Sequence, residues 1–142
     1  VAQHSTLVTR IIADSQPGAP ADLLLAALLH DAPEYVVGDM ISPFKAAIGI
    51  DYKALEERLQ AAIHIRFGLP AHLPAKTKKI IKKADLASAY LEATGIAGFS
   101  VEEAGKLWKA PDLTRTYPVT ALPPTEAKEE YIALFEELIS EV

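Results

Sequence analysis

The chain has 142 residues, half of them apolar and 23% charged, with a net charge of −5 at neutral pH. That is one domain's length with enough apolar material for a core, and its mild acidity argues against a general nucleic-acid or anionic-membrane binder, which needs a basic surface. There is no cysteine, so a disulfide framework, a zinc finger and thiol catalysis are excluded, and any metal must be held by carboxylates and the four histidines.

Taken from the start, the pattern is helical. Val1 lies already inside it, so an upstream segment is expected to precede this numbering; no signal peptide is visible and no apolar run is long enough to cross a bilayer, which points to a cytoplasmic protein. Leu7, Val8, Ile11 and Ile12 form one stripe, predicting an amphipathic helix over roughly 2–14. After a turn over 16–20, Pro20 can open a second helix with Asp22 in its first turn. Residues 23–29 are apolar all round, so this helix is central and buried, and Pro33 should end it near His30 and Asp31. A short piece runs from Pro33 to Gly38, and Ser42-Pro43 reads as N-cap and first-turn proline of another that stops at Gly49.

Asp51 is expected to cap a helix over about 52–67, closed by Gly68 and Pro70. The next spans roughly 75–94 with Ile80, Ile81, Ala84, Ala87 and Leu91 inward. Ser100-Val-Glu-Glu103 is a capping box for a short helix containing Trp108. Residues 110–124 read as proline-rich loop, and Thr125 as the cap of a last helix striped by Tyr131, Leu134, Phe135, Leu138 and Ile139. No stretch alternates with period two, so the expected fold is all-α, a compact helical bundle making one domain of residues 1–142.

His30 and Asp31 are adjacent polar residues at the end of the most apolar helix. Buried there, they need partners. They either cap the helix end and begin a turn, or hold a divalent cation beside the partially negative helix C-terminus. His4 on the stripe of the first helix, and Asp85 in the middle of the 75–94 helix, put a second imidazole and a second carboxylate on apolar faces. Two His and two Asp suit a divalent transition ion with open positions left over. Glu34, three residues after Asp31, can face such a site without binding the ion and orient or deprotonate a water. Asp39 follows Gly38, which lets the chain turn back. Singly, Glu34 could equally be a first-turn dipole partner and Asp39 a turn residue.

Val1-Ala-Gln-His4, Leu28-Leu-His30-Asp31-Ala-Pro-Glu34, Gly38-Asp39 and Lys83-Ala-Asp85 together resemble the HD-domain phosphohydrolase superfamily, whose signature is H…HD…D in that order. The resemblance is closest to the small single-domain branch that includes bacterial 5′-deoxyribonucleotidases and phage deoxynucleoside triphosphate hydrolases, and it covers residues 1 to about 95. It implies that His4, His30, Asp31 and Asp85 hold one divalent ion (Co, Mn, Zn, Ni or Fe, with Mg as an alternative). It also implies that Glu34 positions the attacking water and that Asp39 helps hold the water or the leaving oxygen. Lys45 stands where this branch often carries a phosphate-binding lysine, or is a surface lysine on a short helix. Lys76, Lys78, Lys79, Lys82 and Lys83 crowd one helix, ordinarily a solvated face, but Lys82 shares the face of Asp85 and can reach a substrate phosphate.

The expected activity is therefore metal-dependent hydrolysis of a nucleotide, first a 5′-(deoxy)nucleoside monophosphate. The alternatives are a deoxynucleoside triphosphate triphosphohydrolase and a non-catalytic nucleotide-binding HD module. An alarmone hydrolase typically reads His-Asp-x-x-Glu-Asp, whereas Tyr35 follows Glu34 here. The expected partner is a small-molecule nucleotide, with no nucleic-acid polymer and no membrane; a homodimer is compatible with the branch, and the sequence locates no interface. In the branch, an arginine and apolar or aromatic side chains just before the first histidine surround the nucleotide; here the sequence begins three residues before His4. His64 is expected to pack in the core and His72 to be exposed, while Trp108 and Tyr117 either line a pocket or seal the core.

Overall fold

Eight α-helices and no strand make up the regular structure of the described residues, 1–49 and 51–142, in a computed structural model. The first, α1 (Ala2–Ser15), buries Val8, Ile11 and Ile12 as its stripe dictates. It lies against α2 (Ala21–Leu28), α6 (Ala75–Gly95) and α8 (Pro124–Ile139). The central member is α2: Leu23, Leu25, Ala26, Ala27 and Leu28 are all buried, and α8 covers it from another side. From α6 come Ile81, Ala84 and Ala87, and from α8 Leu138, with Tyr131, Leu134, Phe135 and Ile139 packed on the same core. Among the described residues no helix is long and apolar enough to cross a membrane.

Around this core lie α3 (Glu34–Val37), α4 (Ser42–Ile48), α5 (Asp51–Arg66) and α7 (Val101–Leu107). Gly38 ends α3 with a φ of 77°, a left-handed conformation that favours glycine. Gly95 ends α6 where the backbone of Val119 passes so close that a Cβ would strike its carbonyl oxygen. That contact pins the 108–123 connection over the end of α6.

Several ends differ from the sequence expectation. The second helix stops at Leu28, and residues 29–33 continue as tighter turns, with Ala32 N–H on Leu29 O (3.0 Å) and Glu34 N–H on Asp31 O (3.0 Å). Pro33 has no N–H and crowds the residue before it, so the α-helix gives way a turn early. Ser42 is the first residue of α4, not its cap, which is Ile41 in extended conformation. Asp51 is the first residue of α5, and the position before it, residue 50, lies outside the described residues. Thr125 lies in the first turn of α8, whose cap is Pro123. Trp108 is the extended residue that closes α7, and it seals a small cluster with Tyr90, Ala93 and Ala104. The Ser100–Glu103 capping box is formed, with both reciprocal bonds present. Tyr117 packs on the main core and its hydroxyl donates to the Asp14 carboxylate.

Candidate active site

Past the end of α2, the tight turns at 29–33 carry His30 and Asp31. His30 Nδ1–H donates back to Ala27 O at 2.7 Å, which leaves Nε2 outward, 3.3 Å from Asp31 Oδ2. Two further carbonyls of this end accept from side chains: Tyr131 O–H donates to Leu28 O (3.2 Å) and Gln60 Nε2 to Leu29 O (3.1 Å).

His4 arrives from α1 and Asp85 from α6. His4 Nε2 lies 3.2 Å from Asp85 Oδ1 and 3.6 Å from Asp31 Oδ2, and its ring sits 5.4 Å from that of His30. The four expected ligands are thus brought together. One donor atom each from His4, His30 and Asp31 fall within 4.8 Å of one another. His30 Nε2 is buried, with no aligned hydrogen-bond partner among the described residues. A buried bare nitrogen facing carboxylates is costly, and a cation between them would satisfy it. Two imidazole nitrogens and carboxylate oxygens form a donor set that suits a divalent ion.

Burial opposes the charged form of His4, but hydrogen bonds to Asp85 and Glu92 and the charges of Glu92 and Asp31 outweigh it, pushing its pKa up to about 10. Burial also pushes the Asp85 carboxyl up, yet its bonds to His4 and Lys82 hold it well below the usual carboxylate range.

Glu34 opens α3, half-buried beside this cluster. Burial first, then the charges of Asp31 and Asp39, push its carboxyl up to about 7, with the charge of Lys45 opposing them. Asp39 is exposed and acts on Glu34 through its charge. Lys82 Nζ donates to Asp85 Oδ2 at 2.7 Å and so stands at the cluster. Lys45 does not: it donates to Glu56 Oε1 at 3.2 Å and lies over the Tyr52 ring, beside a separate cavity of about 390 Å³. Its charge still reaches Glu34.

A cavity of about 470 Å³ opens from His30, Asp31 and Asp85. Lys78 and Lys82 of α6 form one wall, Glu57, Gln60 and His64 of α5 another, and His72 and Leu73 a third. His64 is buried as expected: Nδ1–H donates to Ala71 O at 3.2 Å and Nε2 accepts from Gln60 at 2.7 Å. His72 is exposed as expected, yet it too lines the cavity.

Residues 1–97 match the model of the family described as 5′-deoxynucleotidase YfbR-like. The chain belongs to that family. It is also 53% identical, over 135 residues, to an uncharacterized protein of Rhodobacter capsulatus, a match covering 94% of this chain and 69% of that protein. Against the uncharacterized protein YfdR of Escherichia coli it is 33% identical over 78 residues, 55% of this chain and 39% of that one. The YfbR-like match takes in the whole cluster from His4 to Asp85 and ends before α7 and α8. Glu92, Ser88 and Gln60, inside the YfbR-like match, were not anticipated at the cluster, and Tyr131, beyond it, was expected only in the stripe of α8. Glu92 is seven residues after Asp85, two helical turns along one face of α6, a spacing that was readable. Tyr131 and the Gln60 bond to Leu29 carry no such signal, because the partners are backbone carbonyls at the end of another helix.

Proposed function

We propose that this YfbR-like chain is a metal-dependent phosphohydrolase that releases inorganic phosphate from a 5′-(deoxy)nucleoside monophosphate. The observation that carries the reading is the His4, His30, Asp31 and Asp85 cluster opening onto a cavity with Lys78 and Lys82 along one wall. At about 470 Å³ the cavity is within the usual range for a small-molecule site.

The four residues would hold one divalent ion, Co²⁺, Mn²⁺, Zn²⁺, Ni²⁺ or Fe²⁺, with Mg²⁺ the alternative; when bound, it supplies Lewis acidity toward a phosphoryl oxygen. Lys82 offers its ammonium to a non-bridging oxygen, and Lys45 adds its charge from further off. Glu34, with a pKa near neutrality, takes the proton of the attacking water. The water oxygen bonds to phosphorus, the P–O5′ bond breaks, and the departing oxygen takes a proton to become the nucleoside hydroxyl. Asp39 helps hold the water or the leaving oxygen. A second reading, release of tripolyphosphate from a deoxynucleoside triphosphate, is favoured by Lys78, one turn before Lys82 on the same wall.

The test is a panel of deoxy- and ribonucleoside mono- and triphosphates, each offered to metal-stripped protein with each ion in turn. Metal-dependent phosphate release from monophosphates is expected. Tripolyphosphate as the product moves the assignment to the second reading. No turnover with any pairing, despite bound metal, refutes both in favour of a nucleotide-binding module.

A further inference from the structure

Two histidines reach the cluster, and the fold secures them differently. His30 gives its Nδ1 proton to the neutral carbonyl of Ala27, its own neighbour in the chain. His4 gives its Nδ1 proton to a carboxylate, Glu92 Oε2, at 2.8 Å, across 88 residues of sequence. The Ser88 hydroxyl braces the pair, donating to the same Oε2 at 3.3 Å and lying 3.2 Å from Nδ1. The Glu92 side chain is 28% exposed and that of His4 16%. Among the described residues no lysine or arginine pairs with Glu92, so His4 is its charged partner.

We propose that Glu92, braced by Ser88, is the positioning residue for His4. It fixes the tautomer with the proton on Nδ1, aims Nε2 at Asp31 and Asp85, and makes the imidazole a stronger donor than His30. A carboxylate behind a ligating imidazole has this effect generally, and losing such a partner typically costs about 10- to 100-fold in metal affinity. Glu92 lies behind His4 and does not touch the reacting atoms. The inference rests on the ligand reading above and concerns affinity for the ion, not the phosphate chemistry.

The test uses Co²⁺ alone as probe. Its affinity for the intact chain, for Glu92→Gln, for Glu92→Ala and for Ser88→Ala is measured by competition with a chelator. The visible absorption bands of the cobalt protein report the ligand field. Glu92→Gln keeps an acceptor for Nδ1–H but loses the charge, so affinity is expected to fall about 10-fold, and Glu92→Ala by up to about 100-fold with shifted bands. Saturating Co²⁺ should restore kcat to within about threefold in Glu92→Gln, since the effect of such a partner passes through the metal. Wild-type affinity in both Glu92 variants overturns the proposal, leaving Glu92 a tie between α1 and α6. A low kcat at saturating cobalt with unchanged affinity also overturns it. An intact chain that takes up no cobalt refutes the ligand reading itself and the role of Glu92 with it.

Discussion

On the ligand assignment proposed above, binding a divalent ion should expel a proton from His4. In the metal-free chain this imidazole has its pKa pushed up to about 10, so at pH 7.5 it is an imidazolium held between Asp85, Glu92 and Asp31. A ligating imidazole must offer a bare Nε2, and the Nδ1 proton is retained by Glu92. One proton therefore leaves Nε2 for each ion bound, and the Asp85 carboxylate, held ionised, contributes none. Between the ordinary histidine value of 6.5 and about 10, the apparent affinity should rise about tenfold per pH unit on this account and level off above. The same shift sets the sign for stability. A raised pKa means that this proton stabilises the metal-free fold fully below about pH 6.5, and that the contribution is lost as pH climbs through about 10. The metal-loaded chain should show the opposite trend in its gain from the ion. Titration calorimetry at pH 7.5 in buffers of different ionisation enthalpy reads the proton count directly from the slope, with His4→Gln as the comparison. Tight binding with no proton released would refute this account of His4.

The other predictions concern the flanking residues and the core. Glu34→Gln should bind Co²⁺ as the intact chain does while its phosphate release falls by about 10²- to 10⁴-fold, the usual worth of a positioned general base; near-normal turnover removes Glu34 from that role. Lys82→Met should raise KM more than it lowers kcat, read from initial rates at saturating metal; an unchanged KM refutes its contact with substrate phosphate. Leu25, fully buried in α2, should cost about 2–5 kcal/mol when cut to alanine, measured by denaturant unfolding of the metal-free chain. A loss well under 1 kcal/mol would show that α2 is not the central packing element.

Apolar periodicity made the bundle legible: the stripes of α1, α6 and α8 face the core where spacing put them, buried or partly buried, and the Ser100 capping box formed. Helix ends were less so. At α2 the proline rule gave the cause but placed the stop near His30 and Asp31, past the observed end at Leu28, so that both residues lie in the turns that follow the helix. That His4, His30, Asp31 and Asp85 come together was readable from polar residues on or at the ends of apolar helices, taken with the family resemblance. The partner of Lys45 was not readable: the lysine stands near Glu34 in charge but is bonded to Glu56, which lies on α5, eleven residues on, beyond any local pattern.

Lys82 poses the remaining question, since its ammonium is already 2.7 Å from Asp85. It cannot hold that carboxylate and a phosphate equally. The exchange is inexpensive, however, because the Lys82 side chain is 66% exposed and an exposed pair of this kind contributes about 0–1 kcal/mol. An ion shared by Asp85, His4, His30 and Asp31 would take over the neutralisation of the carboxylate, and the lysine would be released toward the cavity it already lines. Metal and substrate phosphate should then bind with positive coupling, each removing an obstacle to the other. Lys82→Met should weaken that coupling and lower phosphate affinity, leaving the part of the coupling that comes from the ion's own contact with a phosphoryl oxygen. Inorganic phosphate titrated into metal-free and cobalt-loaded chain, with and without the substitution, completes the cycle. An equal metal effect on phosphate affinity in both chains would show that Lys82 is not the element that couples them.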